Sequence, residues 1–454
     1  MTSETDGFKS WDLERYRTHG SGRAVSQGPI EPSVPNNGRR VRATYDLDPG
    51  ALFWTALGTS FLSVLTVGIY RFWMVTRLRR HYWGMIRVQG DPIEYTGTGL
   101  EKFLGFLIAI VILAAYLAIA NLALTFIGLS YLESNFELVF QLSLISAVPF
   151  YFWAAYRARR YIASRTRWRG IRFGMDPGAL GYMVRAIFYG VLTVLSAGIL
   201  WPYQQFKLEK YMVDRTSFGD QRFQQNGSWI GLLGYWIWLY IMAGLVGLAA
   251  WGMSMEPYNQ QNQVVGSIVI FIGFFAFLIL YLRYLAGKTK YLWDNRSVGE
   301  TEINNDVSIG EVVRVYVGGS FLVSLCSALL AGVILTAGGA IWMSLGGPEQ
   351  IEALMAVVAG AENSGATDVE LIVAQLLLAW PTLVIFVFAY LFVMAAGFAF
   401  SQVFVTQPVL RRQVAATTIA NAEVLVRSRQ REEDRAGEAG GFADALGVDV
   451  GAGL

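Results

Sequence analysis

The chain has 454 residues, of which 54% are hydrophobic and only 15% are charged, against about 25% in an ordinary soluble protein. So few charges cannot clothe a soluble protein of this size, which leaves a polytopic membrane protein with polar ends. Lysine plus arginine exceeds aspartate plus glutamate by only 36 to 34, which excludes a general nucleic-acid role; the single cysteine, Cys326, excludes an intramolecular disulfide framework, and the two histidines, His19 and His81, leave little for a metal or proton-relay centre.

Residues 1–44 are polar, hold several prolines and no apolar run, and read as a disordered cytoplasmic arm. Eight apolar stretches follow, about Ala51–Trp73, Phe103–Leu129, Leu138–Tyr156, Ala179–Tyr203, Trp229–Met253, Val264–Leu285, Val312–Leu345 and Leu371–Val405. A bilayer core needs about 20 helical residues, so length alone lets all eight span. Pro149 and Pro381 are the expected kinks in the third and eighth. Residues 407–454 read as a cytoplasmic amphipathic helix to about Arg435 and a disordered tail.

One module recurs four times between the apolar stretches, starting at Phe72, Phe152, Pro202 and Leu282. The copies align on Tyr82, Tyr161, Tyr211 and Tyr291, each after a basic stretch. A glycine follows eight or nine residues later (Gly90, Gly170, Gly219, Gly299), then a residue suited to a strand (Tyr95, Phe173, Phe223, Ile303). Each copy reads as a helix end leaving the membrane, a glycine turn and a short extended piece. A fifth fragment, YDLDPGAL from Tyr45, resembles FGMDPGAL from Phe173, which makes the stretches at Ala51 and Ala179 counterparts. The expected division is membrane repeat 1 at 45–178, membrane repeat 2 at 179–311 and a C-terminal transmembrane hairpin at 312–406.

Lysine and arginine concentrate on the cytoplasmic side of membrane proteins. The module regions 71–102, 157–178, 204–228 and 287–311 hold six, seven, four and three of them, whereas 130–137, 254–263 and 346–370 hold none. The stretches at Ala51 and Ala179 have basic sequence on both sides, so with every module cytoplasmic they cannot cross. The expected fold class is therefore an all-α polytopic membrane protein: six transmembrane helices as three hairpins, plus two re-entrant or interfacial helical segments bent at glycines (Gly58 and Gly68; Gly190 and Gly198), with both termini cytoplasmic. The alternative is eight transmembrane helices with inverted repeats.

The runs LTVGIYRFW with RLRRHYW, YRARRYIASRTRWRGIRF and GILWPYQQFKLEKYMVDRTSFGDQRF resemble the YjgN family, over about Tyr45 to Arg412. The resemblance implies a multi-pass inner-membrane protein of bacteria, built around a domain of unknown function. It brings no reaction, ligand or functional residue. In the family the first motif reads like LTLGIYxPW; here Arg71 and Phe72 take the last two positions before the tryptophan.

No HExxH, GxSxG or Walker-type sequence is present, so no catalytic, metal or cofactor residues are expected and the chain reads as a non-enzyme. The sharpest feature is the basic layer of the modules. Arg77, Arg79, Arg80, Arg157, Arg159, Arg160, Arg165, Arg167 and Arg169, with Arg185 near a segment start, are the candidate contacts for anionic lipid headgroups or another ligand. Gly231, Gly234, Gly244, Gly247, Gly338, Gly339 and Gly397 read as close helix-packing positions. Three functions are weighed: a transporter or channel for a small solute or lipid; a non-enzymatic scaffold whose basic modules bind anionic lipid or a membrane or cytoplasmic protein partner; and, third, a membrane enzyme, which convergence of carboxylates or His81 in a cavity would favour.

Overall fold

A computed structural model describes residues 40–131, 136–255, 260–344 and 368–430, with Glu349, Glu352 and Met355. The expected disorder up to residue 39 and beyond residue 430 lies outside the described residues. Strands β1 (Val41–Arg42) and β2 (Thr44–Tyr45) lead into helices α1 (Pro49–Leu65) and α2 (Arg71–Met85), then β3 (Ile86–Val88) and β4 (Asp91–Tyr95). The next elements are α3 (Gly99–Tyr131), α4 (Phe136–Ser146), α5 (Val148–Arg165), β5 (Thr166–Trp168) and β6 (Ile171–Met175). After them come α6 (Ala179–Leu195), α7 (Trp201–Val213), β7 (Thr216–Phe218) and β8 (Gln221–Gln225). Helices α8 (Ile230–Met255) and α9 (Gln260–Asp294) precede β9 (Arg296–Val298) and β10 (Thr301–Asn305). The chain closes with α10 (Ile309–Ser344), α11 (Asp368–Ser401), a π-turn (Gln402–Thr406), α12 (Gln407–Ala416), β11 (Thr417–Ile419) and α13 (Glu423–Arg427).

The all-α expectation is corrected by a sheet of eleven short strands, all described neighbours antiparallel. Its order is β1-β11-β10-β9-β8-β7-β6-β5-β4-β3-β2. The two ends of that order, β1 and β2, are consecutive in the chain through Ala43, whose N–H donates to the Thr417 carbonyl (3.2 Å). Segment 41–45 thus pairs with β11 by its first half and with β3 by its second, and the strands form a closed ring without a free edge. Residues 41–44 of the expected arm are part of it. One hydrogen bond recurs at every junction between hairpins. The N–H groups of Asp46, Thr96, Asp176, Asn226 and Asp306 donate to the carbonyls of Met85, Arg165, Arg215, Asn295 and Ala416, at 2.8–3.1 Å.

Turn chemistry explains the hairpins. Gln89–Gly90 and Arg169–Gly170 have positive φ at both central residues, as a type I′ turn requires, while Gly219 and Gly299 alone have it in the other two, the type II′ pattern. The glycine is second in one class and first in the other, so its distance from the preceding helix differs by one residue. The copies also need a correction. Counted five residues back from each first strand, Tyr161, Tyr211 and Tyr291 correspond to His81, and Tyr82 is its neighbour. Likewise the counterpart of Phe173, Phe223 and Ile303 is Ile93, while Tyr95 matches Met175, Gln225 and Asn305.

Inside the ring, Ile93 faces Trp168, Phe173 faces Phe218, Phe223 faces Val298 and Ile303 faces Ile419. These side chains share one apolar cluster with Ala422 and Leu425 around α13, so this layer is filled with side chains. The expected helix from 407 to about Arg435 stops at Ala416, where the β-branched run Thr417–Ile419 joins the ring.

The helices pair before each hairpin: α1 with α2, α3 with α4–α5, α6 with α7, α8 with α9, and α10 with α11–α12. Neighbouring pairs touch as α2·α3, α5·α6, α7·α8, α9·α10 and α11·α1, which closes the helical layer as well. Every pair begins and ends at strands. The apolar stretches at Ala51 and Ala179 are the two short pairs, each bent back midway. Helix α1 starts on the Asp48 cap, whose carboxylate accepts the Ala51 N–H (3.0 Å). It ends where Val67 and Gly68 take positive φ and Gly68 N–H donates to Ser63 O (2.7 Å); Ala197, Gly198 and Thr193 repeat this after α6 (2.8 Å). The Thr66 and Ser196 hydroxyls then accept the N–H of Tyr70 (2.9 Å) and Leu200 (3.1 Å), starting the return helix.

Among the described residues five helices are long and apolar enough to cross a bilayer: Gly99–Gly128, Ile230–Met255, Gln260–Asp294, Ile309–Ser344 and Val384–Ala416. The third apolar stretch is broken at Ala147 into α4 and α5, with Pro149 in the first turn of α5. Helix α11 continues through Pro381 and leaves α geometry only at the π-turn. The closed ring joins the hairpins of all four modules in one sheet.

Candidate functional site

The first helical turns away from the ring carry most of the predicted arginines. Position by position, Arg80, Arg160, Lys210 and Lys290 stand six residues before their first strands. Arg160 donates to Met175 O (3.0 Å), Lys210 to Gln225 O (2.6 Å) and Lys290 to Asn305 O (2.7 Å), the last carbonyl of each hairpin; Arg80 reaches Gly97 O (3.2 Å). This basic residue ties each helix to its own hairpin. The tyrosines do the same for the helix pairs: Tyr161 donates to Glu101 (2.9 Å), Tyr211 to Gly178 O (3.0 Å) and Tyr291 to Ser228 O (2.8 Å). Each acceptor stands at the start of the partner helix.

Other candidates are also engaged inside the protein. Arg165 pairs with Glu101 (3.1 Å) and Arg169 with Asp91. Arg167 stands in register with Glu94 and Arg172 on neighbouring strands. Arg79 lies over the Trp83 and Tyr95 rings, 5.9 and 5.4 Å from the centroids. Exposed Arg185 donates to Gly181 O (3.0 Å) and lies 4.7 Å over the Tyr211 ring. Arg77 is exposed above Tyr70 (5.8 Å), and Arg157 sits over Trp153 (4.8 Å). Arg157 and Arg160 share one open groove of about 620 Å³ with Trp153, Tyr156 and Gly178. The continuous basic layer expected from the sequence is thus mainly a set of internal ties.

Arg159 leads to a different place. Its guanidinium grips Glu209 of α7 with both terminal nitrogens (2.8 and 2.9 Å). Glu209 also accepts from Arg296 of β9 (2.5 Å), whose Nε donates to the Gln225 amide oxygen (3.0 Å). Arg296 is buried and stacked over Trp293, 4.5 Å from the ring centroid. Burial alone would raise the Glu209 carboxyl, but the two facing guanidiniums outweigh it and hold it down at about 2. Burial likewise lowers the Arg296 guanidinium to about 10, against the pull of Glu209.

Glu209 and Arg296 line a cavity of about 340 Å³ at the junction of helices and ring. Gln205 of α7, Lys288 and Thr289 of α9 and Gln413 of α12 supply its remaining polar wall. Tyr316 of α10, Val405 and Thr406 of the π-turn, and Val409 and Leu410 of α12 close the other side. Lys288 reaches Gln205 Oε1 at 3.4 Å. Of the predicted residues only Arg159 takes part, behind Glu209. Sequence reasoning missed Glu209, Lys288 and Arg296. One signal was present: Glu209 stands seven residues before its strand, where Arg79 and Arg159 stand in the first two copies. An acid in a basic register is the mark of an internal partner. Among the described residues no group of histidine, cysteine and carboxylate side chains could hold a metal.

Long apolar helices on a closed ring of strands, with a charged cavity between them, define a multi-pass helical membrane protein. The chain belongs to a family of bacterial proteins of unknown function, DUF898, whose model matches residues 50–327; the YjgN family is this same family. No curated protein and no solved structure matched the chain.

Proposed function

We propose that the chain is a bacterial inner-membrane transporter for a small solute or lipid, and not an enzyme. In this reading five copies of one unit, a helix pair and a β-hairpin, make up the molecule. The two short pairs, α1–α2 and α6–α7, are re-entrant, and the three long pairs provide six crossings with the ring and both termini cytoplasmic. The observation that carries it is the cavity: a space between helices and ring with a largely apolar lining, into which Glu209, Lys288 and Arg296 bring charge. Helix α7, the return limb of a re-entrant pair, supplies Gln205 and Glu209 to it. The ring interior is filled, so the route runs between helices, not through the ring. The scaffold reading is the weaker one, because most module arginines are bonded to carbonyls, carboxylates or rings of the protein itself.

Two measurements test this. In a Cys326→Ser background, cysteines at exposed Glu94 and Glu300 in the ring are expected to resist a membrane-impermeant maleimide in intact cells. A cysteine at Ser254, at the far end of α8, is expected to react. Labelling of Glu94→Cys or Glu300→Cys from outside would overturn the orientation. In sealed proteoliposomes, the protein is expected to move a fluorescent phosphatidylglycerol or radiolabelled inorganic phosphate faster than protein-free vesicles do. If neither moves, the transport reading falls.

A further inference from the structure

The cavity has more positive charge than its own groups neutralise. Both oxygens of Glu209 are held by Arg159, and one of them is shared with Arg296. Among the described residues Glu209 is the only carboxylate in the lining, so one negative charge faces Arg159, Arg296 and Lys288. The Lys288 ammonium has three donors and one long bond, to the neutral Gln205 amide. Taking uncompensated cations out of water is unfavourable, and an anion is what would offset it. The rest of the lining is largely apolar, from Leu285, Val405, Val409 and Leu410, with the ring of Tyr316 beside them. An anion that fits both parts has a compact, multiply accepting charged end and an apolar body.

We propose that Lys288 and Arg296 form a binding site for a phosphate group, whose apolar remainder packs on the π-turn and α12. Arg296 presents a rigid fork and Lys288 a mobile point charge, a pairing suited to phosphate oxygens. Arg159 is a positioning residue: it neutralises Glu209 and so leaves Arg296 charged toward the cavity. The two sources of such a group are a phospholipid and a soluble phosphate ester. The apolar wall favours the lipid. This proposal rests on the same cavity as the transport reading and names its ligand, but it is a statement about binding.

The test uses the purified full chain in a neutral detergent, titrated with short-chain phosphatidic acid, with inorganic phosphate and with a zwitterionic short-chain phosphatidylcholine. Binding is read by microscale thermophoresis and by the shift in unfolding temperature. Saturable binding of phosphatidic acid, at least tenfold tighter than of phosphatidylcholine, is expected. The Lys288→Gln variant is expected to weaken it at least tenfold, while Lys288→Arg retains it and Arg42→Gln, at an exposed position of β1 outside the cavity, leaves it unchanged. Inorganic phosphate binding as tightly as the lipid, with the same Lys288 dependence, supports the site and assigns it to soluble esters. Equal binding by wild type and Lys288→Gln, or no saturable binding of either probe, overturns it. Because Lys288 makes a single long bond, its glutamine variant is expected to fold even if Arg296 variants do not. Phosphate binding without flux would sink the transport reading and leave the site; flux without phosphate binding would do the reverse.

Discussion

Replacing Glu209 by glutamine is expected to destabilise the protein by about 3–5 kcal/mol, the cost of leaving buried charges without their partner. Arg159 and Arg296 both depend on this carboxylate, through bonds of 2.5–2.9 Å, and the Arg296 side chain is only 7% exposed. A glutamine carries no charge, keeps one accepting oxygen and turns its amide hydrogens toward a guanidinium nitrogen. Denaturant unfolding of the purified protein reads the loss directly. The same interaction sets an acid limit. The Glu209 carboxyl is held at about 2, below the usual 4.5. A depressed carboxylate contributes stability that is fully present above about pH 4.5 and fades as pH falls toward 2. Wild type is therefore expected to lose stability across that window, and Glu209→Gln to lose less. The triple change Arg159→Met, Glu209→Met, Arg296→Met is expected to recover much of the loss, since apolar side chains remove the charges together. A single variant within about 0.5 kcal/mol of wild type would sink the idea that the carboxylate holds this junction.

The sequence carried the helix–turn–strand order of the modules, because that order is local: a helix end, a glycine turn and a short extended piece within about 25 residues. Strands of two to five residues are too short for an alternating pattern, so the ring could not be read from them. Its closure was hidden further by distance. The last hairpin is made from Thr417–Ile419 at one end of the chain and Val41–Tyr45 at the other. The echo of YDLDPGAL in FGMDPGAL marks one half of that hairpin; the other half sits in a tail with helical periodicity. The site was illegible for a related reason. A charge count treats Arg159 and Arg296 as two more cytoplasmic cations, whereas burial makes both of them partners of Glu209, the acid that falls in the register of Arg159. His81 was obscured by its neighbour: aligning on Tyr82 shifts the first copy by one residue.

The glycines give the second large effect, and they separate sharply. Gly234, Gly244, Gly247, Gly338 and Gly339, read from sequence as packing positions, have no neighbour within 4 Å of where a Cβ would stand. Gly231 does, against the Tyr291 ring at 2.4 Å, and Gly397 lies 3.3 Å from Ser327 Oγ. The tightest backbone approach is elsewhere. A Cβ on Gly319 of α10 would lie 2.4 Å from the Phe404 carbonyl oxygen and 3.1 Å from its carbon. Those atoms belong to the π-turn Gln402–Thr406, whose next residues, Val405 and Thr406, wall the cavity. Backbone cannot swing aside as a side chain can, so Gly319→Ala must push α10 and the π-turn apart. The expected cost is about 1–3 kcal/mol, and Gly319→Leu is expected to prevent the two elements from meeting. The adjacent Gly318 faces open space, so Gly318→Ala is expected to be neutral or to stabilise by up to about 1 kcal/mol through helix propensity. Unfolding of the pair in one detergent decides the matter. Similar values for Gly318→Ala and Gly319→Ala would mean that α10 does not rest on the π-turn. If Gly319→Ala also loses phosphatidic acid binding while Gly318→Ala keeps it, then the approach of these two backbones is what shapes the apolar part of the cavity that Lys288 and Arg296 line.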